Sequence, residues 1–161
     1  MKLSLSLFCA SLIFLTACTK TDIKPSQNVI SATSENELSA IKTRSAILTA
    51  HVWMYKGFYF HYVDKNNKGD VEYERGGTHN AINLDDTRIT FRQNGTLVQL
   101  DGGYRYPGTW KFSDNTASVL ICDYTNWTDV CTITTIASNH LNFTEPMGYN
   151  SKSFTELIPA Q

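Results

Sequence analysis

From residue 51 onward, apolar side chains recur at every second position in short runs broken by turn residues. Ile89 and Phe91 alternate with Arg88, Thr90 and Arg92, and Leu141 and Phe143 alternate with His140 and Asn142. A period of two over four to eight residues is the mark of a half-buried β-strand. Eight such runs can be placed, at 51–63, 87–92, 96–101, 107–112, 118–123, 130–136, 140–145 and 153–158. The first differs in being apolar on both faces, with Trp53, Tyr55 and Tyr59 opposite Val52, Met54, Phe58 and Phe60. A strand of that kind needs cover on both sides. The segment before it can supply some: Ser34-Glu35-Asn36-Glu37 has capping-box spacing, and Leu38, Ile41 and Leu48 share one helical face. A helix of about three turns is expected there, with an apolar stripe narrow enough that it must lie on another surface.

The connections carry topological information. Gln93-Asn94-Gly95, Ser113 to Thr116 and Ala137 to Asn139 are short and polar, with ordinary turn chemistry, while the intervening connections are longer. Successive antiparallel hairpins put alternate connections at opposite ends of a sheet. One end should therefore be closed by tight turns and the other should carry four longer loops. Eight such strands can close into an all-β, up-and-down antiparallel barrel with a short N-terminal helix, its interior filled or holding one small ligand. The longest connection, Asp64 to Asp86, is open to two readings, a solvated insertion or a functional loop; Glu72, Glu74 and Arg75 can extend a short strand within it, and Gly76-Gly77 offers a hinge.

Charge excludes one class of function. Fourteen basic residues nearly balance fifteen acidic ones and neither sign forms a run, so there is no footprint for nucleic acid. The N-terminus adds another constraint. Lys2 is followed by an apolar stretch from Leu3 to Leu15, too short to span a bilayer as a helix, which reads as an export signal. Leu15-Thr16-Ala17-Cys18 resembles the lipobox of bacterial lipoproteins. That resemblance implies cleavage before Cys18 and a lipid on its thiol; the alternative is an ordinary signal cut nearby, leaving Cys18 free. The expected organisation is a signal over 1–17, a flexible tether over 18–33 and a folded domain over 34–161, held to the membrane of the cell envelope, the outer membrane by expectation, through Cys18. Two or three acyl chains would anchor it stably. Cys9 leaves with the signal, so Cys122 and Cys131 remain in an oxidising compartment, between runs that read as strands. A cross-hairpin disulfide between them is the expectation, the alternative being two reduced thiols in the core.

Ile89-Thr-Phe91-Arg-Gln-Asn-Gly95-Thr, Gly108-Thr-Trp110-Lys-Phe-Ser-Asp114, and Cys131-Thr-Ile133 with Leu141-Asn-Phe143 resemble the lipocalin-like domain of small Gram-negative envelope lipoproteins. The resemblance extends over about residues 51–158. It implies an eight-stranded barrel with the connection 64–86 folded partly over its mouth as a lid. Lipocalins typically open their first strand with Gly-x-Trp, where this chain has His51-Val52-Trp53.

Among residues able to carry function, the aromatics stand out. Tyr104, Tyr106, Tyr124, Trp127 and Tyr149 all fall in the longer connections, and the tight turns contain none. Clustered at one end, they form either a ligand mouth or a plug of rings packed on one another. Trp53 and Trp110 are expected to line the interior or its floor. Metal chemistry finds little support. Asp64-Lys-Asn66-Asn-Lys68-Gly69 begins like a calcium loop, but Lys68 takes a ligand position and Arg75 stands where a bidentate glutamate is required. His51, His61, His79 and His140 show no paired spacing. No serine sits in a nucleophile elbow, and Asp85-Asp86 reads more readily as turn residues than as a catalytic pair. The expectation is a non-enzymatic, cofactor-free barrel binding a small apolar or amphipathic ligand, or a sugar, at its aromatic mouth. Its rival is a protein-interaction module with a solid barrel, serving an envelope complex.

Overall fold

The computed structural model describes residues 27–161, with side chains from residue 35 onward. The expected signal over 1–17, Cys18 and the expected tether as far as residue 26 lie outside the described residues. A helix, α1 (Gln27–Thr49), is followed by nine strands: β1 (Val52–Phe60), β2 (Asp70–Glu74), β3 (Arg88–Phe91), β4 (Thr96–Asp101), β5 (Tyr104–Phe112), β6 (Val119–Tyr124), β7 (Thr128–Ala137), β8 (His140–Pro146) and β9 (Lys152–Pro159). All pairings are antiparallel and sequential from β3 to β9, and β9 returns to β1, so eight strands close an up-and-down barrel. The ninth, β2, continues the wall on β1: β3 pairs with Val52 to Met54 and β2 with Gly57 to Phe60.

The helix begins at Gln27, ahead of the capping box at Ser34, and it is docked at its C-terminal end, from about Arg44 onward. Leu48 is fully buried, whereas Leu38 is 68% exposed, so the expected stripe engages at one end alone. Trp53 Nε1 donates to the Leu48 carbonyl at 2.8 Å and Arg44 Nη1 donates to the Ala117 carbonyl at 2.9 Å. These bonds hold the helix end over the barrel mouth that the tight turns close.

A bulge between Tyr55 and Gly57 shifts the phase of β1. One extra residue reverses which face a strand presents. Trp53 and Tyr55 therefore face inward before it and Phe58 and Phe60 after it, while Tyr59 turns outward to hydrogen-bond Glu74 and Glu156. The two-face reading of this strand assigned Tyr59 to the side of Trp53 and Phe58 to the opposite one; the bulge exchanges them. Tyr59 stays buried because Phe154 stacks on it at 6.0 Å and Lys68 lies 4.9 Å over its ring while bridging Glu156 at 2.9 Å.

Two connections differ from expectation. The turn between β4 and β5 is only Gly102-Gly103, both at positive φ (52° and 85°), which is the requirement of a two-residue hairpin turn. Tyr104 and Tyr106 consequently belong to β5 and not to a loop. The long connection after β1 contributes β2 and is then tied down: Asn80 bridges both backbone groups of Glu74, Tyr73 donates to Asp85 at 2.6 Å, and Arg75 donates to the Tyr55 carbonyl at 2.7 Å. The calcium-like stretch resolves as a turn in which Asp64 Oδ1 accepts from the backbone of Asn66 and Asn67.

Candidate functional site

The barrel interior changes character along its axis. Near the helix it is apolar, with Trp53, Phe91, Leu97, Trp110, Leu120, Ile133, Leu141 and Leu157 packed into one cluster. Phe91 meets Trp110 edge-on at 6.0 Å, and Trp110 Nε1 donates to the Arg92 carbonyl at 2.9 Å. Trp53 and Trp110 thus form the floor, their N–H groups spent on backbone carbonyls. Midway, Tyr55, Gln99, Cys122, Tyr124, Cys131, Asp129 and Glu145 surround a cavity of about 40 Å³. That is room for a few water molecules and not for a ligand.

Above this fill the wall opens sideways. The β7–β8 ladder runs from Ala137↔His140 up to Thr132↔Thr144 and stops there, although β7 stays paired to β6 as far as Thr128 and β8 stays paired to β9 as far as Pro146. Pro146 lacks an N–H, so its place in a strand is where a neighbour is missing. The separation leaves a slot of about 340 Å³, with Thr128, Asp129 and Val130 on one side, Glu145, Pro146 and Met147 on the other, and Phe58, Phe60 and Ser153 behind. Phe58 and Phe60 meet edge-on at 5.2 Å. Asp129 and Glu145 belong to both spaces and form the boundary between slot and inner cavity.

The electrostatics of this boundary are lopsided. Burial raises the pKa of Asp129, opposed by a hydrogen bond from Trp127 Nε1 at 3.2 Å. Burial also raises that of Glu145, with the Asp129 charge adding to it and the Cys131 thiol, 3.2 Å away, opposing. Among the described residues neither carboxylate has a salt-bridge partner; the ion pairs present are His61–Asp70, Lys68–Glu156 and Arg75–Asp85. Desolvation and the nearby carboxylates likewise hold the Tyr55 phenol far above its ordinary range.

The five mouth aromatics divide into two groups. Tyr124 and Trp127 stack at 4.5 Å and Tyr106 meets Trp127 edge-on at 5.4 Å, with Tyr124 Oη donating to Gln99 at 3.1 Å. This triad is a plug that also places the indole N–H on Asp129. Tyr104 and Tyr149 are not brought to it: Tyr104 is exposed at the β4–β5 turn, and Tyr149 is fully exposed at the β8–β9 turn. Asp129 and Glu145 were not singled out in the sequence, and Phe58 and Phe60 entered only as one face of the first strand. Strand alternation held a signal, because Asp129 is in phase with Cys131 and Ile133, and Glu145 with Leu141 and Phe143.

The disulfide expected between Cys122 and Cys131 is not formed; both are free and buried. Cys122 stands opposite Asp129 and Cys131 opposite Leu120, so the two are diagonal, not facing. Diagonal Cα atoms lie roughly 7–8 Å apart, beyond comfortable disulfide reach. The Cys131 thiol is pushed up by its contact with Cys122, by burial and by Glu145, which disfavours its thiolate. Asp85 is spent on Tyr73 and Arg75. Among the described residues no three acidic, histidine or cysteine side chains gather as a metal site.

No family model matches the chain, and no curated protein matches it. Among solved structures it is similar to a DUF4847 family protein from Bacteroides vulgatus, at 17% identity and a TM-score of 0.49, over 69% of this chain and 95% of that one. The lipocalin-like family is not confirmed by these comparisons; the closed barrel stands on its own pairings.

Proposed function

We propose that this protein is a non-enzymatic binding module, tethered to the envelope membrane through Cys18, that takes a small amphipathic ligand in the slot between β7 and β8. The observation that carries this reading is the slot itself: a space of about 340 Å³, walled by Phe58, Phe60, Val130 and Met147 and floored by polar groups. Small-molecule sites begin at roughly 300 Å³ and combine apolar walls with a few polar groups. The filled interior below moves the expected site from the barrel axis to the side of its mouth.

The test is calorimetric titration of the purified protein with amphipathic probes of different charge: 2-phenylethanol, phenethylamine and 3-phenylpropionate. At least one should bind, and Phe60→Ala, which removes part of the aromatic back wall, should weaken it at least tenfold with the circular dichroism spectrum unchanged. Binding that is unaffected by Phe60→Ala would place the site elsewhere. Incorporation of labelled palmitate, abolished in Cys18→Ser, tests the tether.

A second reading, a protein-docking module, draws on the rim. Tyr104, Trp127, Met147 and Tyr149 are exposed there, and Tyr149 is held at φ 46°, an unfavourable backbone for a bulky residue. Failure of every small probe, together with retention of an envelope protein that is lost in Tyr104→Ser/Tyr149→Ser, would favour it.

A further inference from the structure

Building on the slot reading, we infer that the ligand taken between β7 and β8 carries a protonated amine next to an apolar body. Three features of the slot point the same way. The charged groups lining it are Asp129 and Glu145, both acidic, and among the described residues no lysine or arginine pairs with either. Its back wall is aromatic, and ring faces attract a cation, more strongly where water is excluded. The remaining wall is Val130, Pro146 and Met147, which offer an alkyl or aryl group apolar contact.

Two partly desolvated carboxylates side by side are costly while they lack a counter-charge. Within the protein each finds only neutral donors: the Trp127 N–H at Asp129, and the Cys131 thiol and Ser153 hydroxyl at Glu145. Burial raises both groups, and the Asp129 charge raises Glu145 further, so the pair favours holding a proton wherever no cation sits beside it. A bound ammonium would replace that proton as the counter-charge. It donates up to three hydrogen bonds, enough for both carboxylates at once. A bare divalent ion is served less well, because calcium takes six to eight oxygen ligands and magnesium a near-ideal octahedron. The slot offers two carboxylates and no larger acidic group among the described residues. An anionic ligand would add a third like charge.

Phenethylamine, 2-phenylethanol and 3-phenylpropionate share an aryl body and differ in charge, so competition among them on the intact protein isolates the head group. The amine should bind at least tenfold more tightly than the alcohol, and the carboxylate more weakly than either. In Glu145→Gln and in Asp129→Asn that preference should fall below threefold, with an unchanged circular dichroism spectrum as the fold control; His140→Ala, in a separate outer groove, should leave it intact. If the alcohol binds the slot as well as the amine does, the charge inference fails and the slot reading survives. If none of the three binds, both fail together.

Discussion

The two ends of the barrel are built from the same alternating strands and yet differ in almost every physical respect. At the helix end, indole N–H groups bond backbone carbonyls, leucines fill the axis, and Leu48 closes the space from outside. At the other end the wall splits between β7 and β8, and inward positions hold Asp129, Glu145 and Ser153 in place of leucines. The first arrangement buries apolar surface and satisfies its polar groups. The second buries two carboxyl groups with neutral donors and, among the described residues, no counter-charge, the kind of local cost that marks candidate binding sites. The contrast shows that the strand pattern supplies a closed end without difficulty, whereas an open end requires a broken ladder and inward charge.

The contrast can be broken most forcefully at the floor. Trp53→Ala removes a fully buried indole and its bond to Leu48, and should cost roughly 3–5 kcal/mol in denaturant unfolding. A loss below about 1 kcal/mol would mean that the helix is not docked there.

A smaller effect separates the ends by pH. In the tight turn between β5 and β6, burial pulls the Asp114 pKa upward but is outweighed by hydrogen bonds from Thr116, Ser118 and Val119, which hold its carboxyl well below the ordinary range. Stability from a depressed carboxyl is present above its unfolded pKa, about 4, and is lost as pH falls through the folded value. Solvent screens much of this at so accessible a carboxyl, so Asp114→Ala should cost no more than about 1 kcal/mol at neutral pH and flatten the acid limb. Asp129 and Glu145 carry the opposite sign. Their raised values mean that the folded protein holds more protons than the unfolded chain, so their contribution falls as pH rises from about 4 through the folded values. Glu145→Gln should leave the neutral-pH unfolding midpoint unchanged or raise it. A drop of more than about 1 kcal/mol would reveal a compensating partner for the carboxylate.

The least effect belongs to the rim. Tyr149→Asn replaces an exposed ring at φ 46° with a residue that tolerates that backbone, so stability should change by no more than about 0.5 kcal/mol, toward greater stability. Destabilisation beyond that would show the ring to be packed.

Much of the barrel was legible because alternation and turn chemistry are local. Asn94-Gly95 and the polar turns at 113–116 and 137–139 fixed which ends of the strands meet, and closure of β9 on β1 followed from strand number. What depended on register was not legible. A bulge at Gly57 exchanged Tyr59 with Phe58, and a two-residue offset across β6 and β7 separated Cys122 from Cys131. The aromatic mouth was visible as a cluster, but only part of it came together, because Gly102-Gly103 made a tight turn and carried Tyr104 out to the rim. The slot required knowing that the β7–β8 ladder ends at Thr132↔Thr144; Pro146 was its one local sign.

The claim that the open end binds and the helix end only supports is tested most directly by amide chemical-shift mapping of the isotopically labelled protein titrated with phenethylamine. The expected shifts concentrate at Phe58, Phe60, Trp127, Asp129, Val130, Glu145, Met147 and Ser153, and leave Leu48, Trp53 and Trp110 in place. Shifts centred on the helix and floor, or no shifts at millimolar probe, would contradict it.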